Sequence, residues 1–194
     1  MERAFFEPWI GSEYQKTRLL ILGESAYGWK EGMKLEPSHP RVQVQHWMEN
    51  FGEQPFFREI GRALCGKKSP DYEELERAWG RCAYTIFVQT SVGFGPRNRP
   101  TRAQWEHSQL LFPEILRSID PLPRKVVVTG KTMWNNWFPP FDGPHLCDDL
   151  QAYRFEDGQL VWCLAVPHPR AGFNWERNGR GMRAFVEATF PSRE

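Results

Sequence analysis

The chain has 194 residues, with 25 Lys and Arg against 24 Asp and Glu, so its formal net charge is +1. This balance excludes a protein that coats nucleic acid nonspecifically through a strongly basic surface. No apolar run approaches the roughly 20 residues of a membrane span, which excludes a transmembrane protein. With 40% apolar residues, the composition predicts one globular domain over residues 1–194.

The first ten residues, MERAFFEPWI, place an acidic residue beside a short aromatic patch. They lack the basic start and long apolar stretch of a signal peptide. We therefore expect a cytoplasmic protein, and we expect it to be a monomer with no membrane partner.

Four segments of continuous apolar residues are predicted as buried strands. Runs without polar alternation are typical of strands that are covered on both faces, as in a parallel sheet between helices. In chain order these segments are residues 18–23 (RLLILG), 84–89 (YTIFVQ), 125–130 (KVVVTG) and 160–166 (LVWCLAV). They predict a central four-stranded parallel sheet.

Helices are predicted between these strands and after the last one. Their predicted ranges are residues 41–50, 55–64, 71–81, 102–118 and 179–190. Thr101 stands in the N-cap position of the fourth of these helices. Trp105, Ile115 and Ile119 give the same helix an apolar face at helical spacing. The alternation of strands and helices predicts an α/β protein with a three-layer α/β/α sandwich fold.

A β-hairpin is predicted around the fourth strand. Residues 151–155 precede the turn Glu156-Asp157-Gly158, which is followed by the strand at 160–166. Asp-Gly between two apolar runs is a strong signal for a tight turn. The parallel sheet is therefore expected to carry a short antiparallel hairpin extension.

Polar or turn-forming residues follow each predicted strand at its carboxyl end. These are Gly23-Glu24-Ser25, Gln89-Thr90-Ser91, Gly130-Lys131-Thr132 and Pro167-His168-Pro169-Arg170. Ligands bind at this edge of a doubly wound sheet because the loops converge there. Glu24 is expected at the mouth of the cleft, where partial desolvation raises the pKa of a carboxyl group and suits it to act as a base or to position water. A cap on a helix amide, or a pair with an arginine, is the structural alternative.

His168 stands between two prolines, which fix its backbone and direct its ring toward the same rim as Glu24. A serine hydrolase with Ser25 as nucleophile and His168 as base is a weaker hypothesis, because the nucleophile-elbow pattern GxSxG is absent. Gly130-Lys131-Thr132 resembles the tail of a phosphate-binding P-loop, but the first Gly of that motif is missing.

The four cysteines, Cys65, Cys82, Cys147 and Cys163, include no CxxC pair, so a zinc site has little support. Four thiolates could ligate an iron–sulfur cluster if the fold gathered them. However, Cys163 lies in an apolar run, as a buried structural thiol does. We predict no metal and no cofactor.

Arginines are concentrated in two segments near strand ends. Arg97 and Arg99 belong to one segment, and Arg170, Arg177 and Arg180 belong to the other. Each segment is either a solvated loop or a local basic edge that binds phosphates. A local basic edge is compatible with a net charge near zero.

Together these features resemble the uracil-DNA glycosylase superfamily. The similarity consists of Gly23-Glu24-Ser25-Ala26-Tyr27-Gly28 after the first strand, His168-Pro169-Arg170 after the fourth, and the order of the strands. In that superfamily the first motif carries the water-activating acid and, in some branches, a Tyr. The second motif is His-Pro-Ser or a variant. The resemblance covers the ordering of most of the chain, although the motifs themselves are short.

The resemblance implies a DNA glycosylase that flips uracil or a related damaged base into the cleft and hydrolyses its N-glycosidic bond. By analogy, Glu24 would position the attacking water, and His168 would hydrogen-bond the base carbonyl and stabilise negative charge on the leaving base. Tyr27 would exclude a 5-methylated base. Glu24, Ser25 and His168 form the predicted catalytic set.

The resemblance also assigns residues to base and DNA binding. The base-binding residues are Gly23, Tyr27, Trp29 and Gln89, and the DNA-binding residues are Arg97, Arg99, Arg170, Arg177 and Arg180. The chain departs from the family pattern at Ser25, Ala26 and Arg170, and has Gln89 near the place where several members carry Asn. A noncatalytic nucleic-acid or nucleotide-binding module with the same fold is the main alternative.

Overall fold

The computed structural model describes residues 3–28, 30–50, 54–95, 98–139 and 142–193. The strands are β1 (Trp9–Ile10), β2 (Leu19–Gly23), β3 (Ala26–Gly28), β4 (Cys82–Ile86), β5 (Ser91–Phe94), β6 (Lys125–Thr129), β7 (His145–Cys147), β8 (Leu150–Arg154) and β9 (Leu160–Val166). The helices are α1 (Tyr14–Thr17), α2 (His39–Glu49), α3 (Pro55–Cys65), α4 (Tyr72–Gly80), α5 (Arg102–Arg117), α6 (Lys131–Trp137) and α7 (Arg177–Glu187). This arrangement confirms the predicted α/β class.

The main sheet has seven strands in the order β1-β4-β2-β6-β9-β8-β7. Its four central strands, β4, β2, β6 and β9, are mutually parallel and in register, with Ile21 beside both Tyr84 and Val127. β1, β8 and β7 add antiparallel strands at the two sides. The predicted parallel strands therefore form the centre of a larger, mixed sheet.

The two faces of β2 show why its sequence is apolar throughout. Leu19 and Ile21 belong to a core that includes side chains of α2, α3, α4 and α7. Leu20 and Leu22 belong to a second core, on the other face, that includes side chains of α5 and α6. Since successive side chains of a strand point to opposite faces, a strand covered on both sides has no polar position.

Aromatic rings fill much of both cores. In the first core, the Phe57 ring centroid lies 5.3 Å from that of Trp79 and 5.2 Å from that of Tyr84. In the second core, the Phe112 centroid lies 4.8 Å from that of Phe138. The centroid separations are in the range of favourable ring pairs. A large part of the aromatic content is therefore structural.

The predicted hairpin is confirmed, one residue earlier than expected. β8 pairs antiparallel with β9, from Leu150 opposite Leu164 to Arg154 opposite Leu160. Gly158 in the intervening turn has φ of +80°, a conformation that favours glycine.

The remaining differences concern short elements and element ends. β1, β3, β5 and β7 have two to four residues each, which is too short for a periodic sequence pattern. The predicted second strand was placed late, since β4 starts at Cys82 and ends at Ile86. The last helix also starts earlier than predicted, because the Asn174 side chain accepts hydrogen bonds from the Glu176 and Arg177 amides at its start.

The cysteines are free thiols distributed over the fold. Cys65 ends α3 and Cys82 begins β4, whereas Cys147 is exposed on β7 and Cys163 is buried in β9. Within the residues that the structure describes, no three His, Cys, Asp or Glu side chains are placed to hold a metal ion. None of the described helices is both long enough and apolar enough to cross a membrane.

Candidate functional site

A cleft of about 310 Å³ lies at the carboxyl ends of the parallel strands. The parallel strands are arranged in the order β4-β2-β6-β9. The chain runs from β2 to β4 on one side and then to β6 on the other side of β2, so the direction of the connections changes between β2 and β6. Ligands of doubly wound sheets bind at this kind of reversal. The cleft is lined by Glu24, Ser25, Tyr27, Arg99, Gly130, Lys131, Thr132, Pro167, His168, Arg170 and Ala171.

Glu24 follows β2 directly, and its side chain is only 9% exposed. Its Oε1 accepts a hydrogen bond from Nη1 of Arg99 at 3.3 Å, which closes an ion pair between residues 75 positions apart. Burial raises the pKa of the Glu24 carboxyl group, while the Arg99 charge and hydrogen bond oppose this rise. Glu24 therefore has both environments that its position in the sequence suggested, a desolvated carboxyl group and an arginine partner.

Gly130 lets the backbone approach this acid closely. A Cβ atom at position 130 would lie 3.4 Å from Oε2 of Glu24, and the residue has φ of +151°. Its N–H donates to the Val166 carbonyl at 2.9 Å, which joins the end of β6 to the end of β9. A side chain here would strain the backbone because of this φ value, and its Cβ would be in van der Waals contact with the carboxylate.

His168 lines the same cleft and is partly buried, and its ring centroid is 6.0 Å from that of Phe56. The Arg170 backbone N–H donates to Nδ1 of His168 at 3.1 Å, so the proton of the neutral ring resides on Nε2. Burial, followed by the charges of Arg170 and Arg99, lowers the pKa of His168 to about 4. The ring is thus a neutral hydrogen-bond donor at physiological pH.

Ser25 and Tyr27 form a pair on the wall of the cleft. The Ser25 and Tyr27 hydroxyl groups are hydrogen-bonded to each other at 3.1 Å. Each hydroxyl group can donate or accept in this contact. The Tyr27 ring also packs against the second core, which fixes its position.

Among the residues that the structure describes, three cationic side chains and one carboxylate, that of Glu24, line the cleft. Arg99 pairs with Glu24, its side chain being 76% exposed, and Lys131 pairs with Asp149. Arg170 is exposed at the rim. The cleft therefore favours a ligand that carries negative charge or several hydrogen-bond acceptors.

Gln89 does not line the cleft. It is 1% exposed, its Oε1 accepts a hydrogen bond from the Phe6 N–H at 2.9 Å, and its Nε2 donates to the Ile86 carbonyl. Its amide group thus attaches the N-terminal segment to the end of β4. Because the amide is buried and both of its polar atoms are hydrogen-bonded within the protein, it is not placed to form hydrogen bonds with a base. Gly23, also assigned to base binding, adjoins the Tyr84 side chain and is not among the residues that line the cleft.

The remaining predicted residues lie around or beyond the rim. Arg177 and Arg180 are exposed in the first turn of α7, shortly after the cleft segment 167–171. Trp29 and Arg97 fall outside the described residues. Of the predicted site residues, the structure brings together Glu24, Ser25, Tyr27, Arg99, His168 and Arg170.

Several residues in or beside the cleft were not predicted as site residues, among them Lys131, Thr132 and Phe56. Lys131 and Thr132 line the cleft at the start of α6, and Phe56 at the start of α3 packs beside His168. The position of Lys131-Thr132 directly after the third predicted strand indicates a place in the cleft, because the carboxyl ends of all strands in a parallel sheet lie at one edge. Phe56 had no such signal, since its contact with His168 joins distant parts of the chain.

Comparison of the chain with protein-family models and with curated proteins found no match in either case. The arrangement of the cleft residues is therefore the basis on which a function can be proposed.

Proposed function

We propose that the chain is a DNA glycosylase of the uracil-DNA glycosylase type, with three-layer α/β/α architecture, that takes a flipped uracil or related base into the cleft and hydrolyses its N-glycosidic bond. The observation that carries the proposal is that a buried carboxylate, Glu24, and a neutral imidazole, His168, line one cleft at the carboxyl ends of β2 and β9. DNA is the expected partner.

Glu24 serves the sugar side of the reaction. Bond cleavage leaves positive charge on the sugar, and water then adds to the same carbon. A carboxylate stabilises that charge and aligns the water. Arg99 favours the ionised form of the buried group, since its charge and hydrogen bond oppose the rise in pKa that burial causes. Gly130 leaves the space beside Oε2 free of a side chain.

His168 serves the base side of the reaction. As the bond breaks, negative charge develops on the base and is concentrated on its carbonyl oxygens. A neutral ring that donates from Nε2 strengthens its hydrogen bond as that charge grows. Because the pKa of His168 is about 4, the ring stays neutral and retains this donor over the physiological range.

In this proposal, Tyr27 and Ser25 determine which base the cleft accepts. The Tyr27 ring occupies one wall of the cleft, where it would crowd a methyl group on the 5 position of a pyrimidine. Its hydroxyl is held by Ser25.

The test is an excision assay with oligonucleotides that contain uracil, hypoxanthine, oxidised or methylated bases, in single and double strands. The proposal expects excision of at least one of these bases. Glu24→Gln should reduce the rate about 10²- to 10⁴-fold, and His168→Ala about 10²- to 10³-fold. Glu106→Gln, a change at an exposed glutamate on α5, is the matched control and should retain full activity.

Two results would count against the proposal. Binding of these oligonucleotides without excision of any base supports the noncatalytic nucleic-acid module instead. Labelling of Ser25 by a covalent serine probe, with loss of labelling in Ser25→Ala, supports a hydrolase.

A further inference from the structure

A second groove, of about 280 Å³, lies at the amino ends of the parallel strands, at the opposite edge of the sheet from the cleft. It is lined by Leu19 and Cys82, the register partners at the first positions of β2 and β4, and by side chains of α3, α4 and α7. None of the described residues that line the cleft also lines this groove. It is therefore a separate site.

Part of the lining of the second groove is apolar. Leu19 and Cys82 are buried, and Leu64, Cys65 and Val186 are half-buried. Burial raises the pKa of Cys65 to about 11 and that of Cys82 to about 12, so both thiols are neutral at physiological pH. These side chains offer a ligand an apolar surface without negative charge.

The remaining lining has an excess of positive charge. The cationic residues are Lys67, Arg77, Arg81 and Arg183, and the acidic residues are Glu74 and Glu187. Lys67 and Glu74 form an ion pair with each other. Within the part of the chain that the structure describes, the three arginines form no ion pair with a carboxylate. The formal excess of two positive charges is the charge that a dianion would neutralise.

Arg183 holds its guanidinium group in a defined place. The side chain is half-buried, and its Nη1 donates to the Ala63 carbonyl near the end of α3 at 2.5 Å. A Cβ atom at position 66 would lie 3.0 Å from Cζ of Arg183, so Gly66 leaves room for the group. A guanidinium group has five N–H donors, and this hydrogen bond uses one of them. The others suit an oxyanion, which arginine binds through paired hydrogen bonds.

Arg77 and Arg81 add two more guanidinium groups from α4 and its C-terminal end. Both are exposed, and they are four residues apart in the chain. Side chains at this spacing are neighbours on a helix, and like charges there repel each other. An anion bound between them removes this repulsion.

We propose that the second groove binds a small organic phosphate monoester, with the phosphate on the arginines and the organic part against the apolar lining. A phosphate monoester carries a charge of about −1.5 to −2 at pH 7, which matches the charge excess of the groove better than a carboxylate does. The volume of the groove is near the lower end of the range for small-molecule sites. The inference does not depend on the reaction proposed for the cleft.

The test is isothermal titration calorimetry of the whole chain with phenyl phosphate as the probe. Inorganic phosphate and phenol, which each supply one part of the probe, should bind at least about 10-fold more weakly. Arg183→Gln should weaken the binding of phenyl phosphate about 10- to 150-fold, the effect of losing a hydrogen bond to a charged group. Arg180→Gln, a change at an exposed arginine of α7 that does not line the groove, is the matched control and should have no effect.

Glu187→Gln provides a test of opposite sign. It removes the acidic residue that has no ion-pair partner among the described residues, so phenyl phosphate should bind up to about 5-fold more tightly. A gain of affinity cannot come from a folding defect, and thermal melting identifies such a defect in Arg183→Gln. Failure of phenyl phosphate to bind would overturn the inference, as would equal affinity for inorganic phosphate. Unchanged affinity in a folded Arg183→Gln protein would also overturn it.

Discussion

Glu24 carries a carboxyl group at a position where burial opposes its ionisation. Its side chain is 9% exposed, and its pKa is raised even though Arg99 donates to it. A group whose pKa is raised by folding destabilises the folded state when it ionises. Placing this carboxyl group in the cleft therefore lowers the stability of the folded protein at pH values where the group ionises, a cost that the proposed function would explain.

Glu24→Gln should make the protein more stable at neutral pH while reducing excision. The amide keeps the shape of the side chain and has no charge to desolvate. Because its pKa is raised in the folded state, Glu24 lowers the stability of the unchanged protein when it ionises. The extra stability of Glu24→Gln should therefore be present at pH 7. It should vanish below about pH 4, where the carboxyl group is protonated in both the folded and the unfolded states. Thermal melting at both pH values measures this difference. A lower melting temperature for Glu24→Gln at pH 7 would mean that the Arg99 pair outweighs burial.

Arg99→Gln should raise the pKa of Glu24 further. The Arg99 charge and hydrogen bond lower that pKa, so their loss leaves the effect of burial unopposed. The acid side of the pH–rate profile should therefore move to higher pH, while Arg99→Lys, which keeps the charge, should move it less. Carbon-13 NMR titration of the Glu24 carboxyl group measures the pKa directly. Arg102→Gln, which removes an exposed arginine that pairs with Glu106, is the control and should leave it unchanged.

The start of α5 connects one helix to the cleft. Thr101 and Gln104 form a reciprocal capping box, in which the Gln104 N–H donates to Oγ1 of Thr101 and the Thr101 N–H donates to Oε1 of Gln104. The Gln104 side chain also donates to the Ser91 carbonyl at 3.1 Å. At element scale, the cap therefore fixes both ends of the segment that carries Arg99.

Thr101→Ala should lower the free energy of unfolding by about 1 kcal/mol. It should also weaken the binding of an oligonucleotide to the cleft. Asp71→Ala is its counterpart, because Asp71 and Glu74 form the same kind of box on α4. It should cause a similar loss of stability without an effect on oligonucleotide binding. Denaturant unfolding and fluorescence anisotropy measure the two quantities. Equal effects of both variants on binding would show that the α5 cap has no special role in the site.

The charges of the whole molecule are distributed differently at the two ends of the parallel strands. Arg99, Lys131 and Arg170 line the cleft at the carboxyl ends. The second groove, of about 280 Å³, lies at the amino ends of β2 and β4 and includes Arg77 and Arg81. A net charge of +1 therefore conceals two separate basic regions. Only the first adjoins the predicted catalytic residues.

Replacing Arg170, Arg177 and Arg180 together with Gln should lower the salt dependence of DNA binding. Each lost phosphate contact reduces the magnitude of the slope of log K against log salt concentration by about 0.9 in duplex DNA. The magnitude should therefore fall by at most the contribution of about three phosphate contacts. Replacing Arg77, Arg81 and Arg124 removes the same charge from exposed positions near the amino ends of the strands, and should change the slope little. Equal changes in the two triple variants would show that DNA is attracted by net charge alone.

Local sequence determined the parts of this protein that depend on near neighbours in the chain. The runs at 18–23, 125–130 and 160–166 predict strands covered on both faces, and Asp157-Gly158 predicts the turn before β9. The rule that loops converge at the carboxyl ends of parallel strands then placed Glu24 and His168 on one edge, where the structure has them. Burial of apolar side chains and turn conformation are encoded within a few residues, which is why these predictions were possible.

Tertiary structure alone decided how polar groups are paired across the chain. Gln89 has the same sequence signal as the cleft residues, a polar side chain at a strand end, yet it turns inward to the Phe6 amide, 83 positions away. Glu24 likewise accepts a hydrogen bond from Arg99, a residue far away in the chain. The short strands β3 and β5 form only because they pair with each other. A buried polar group must be satisfied by whichever partner the completed fold brings within hydrogen-bond distance. That partner is a property of three-dimensional packing, which no local pattern in the sequence records.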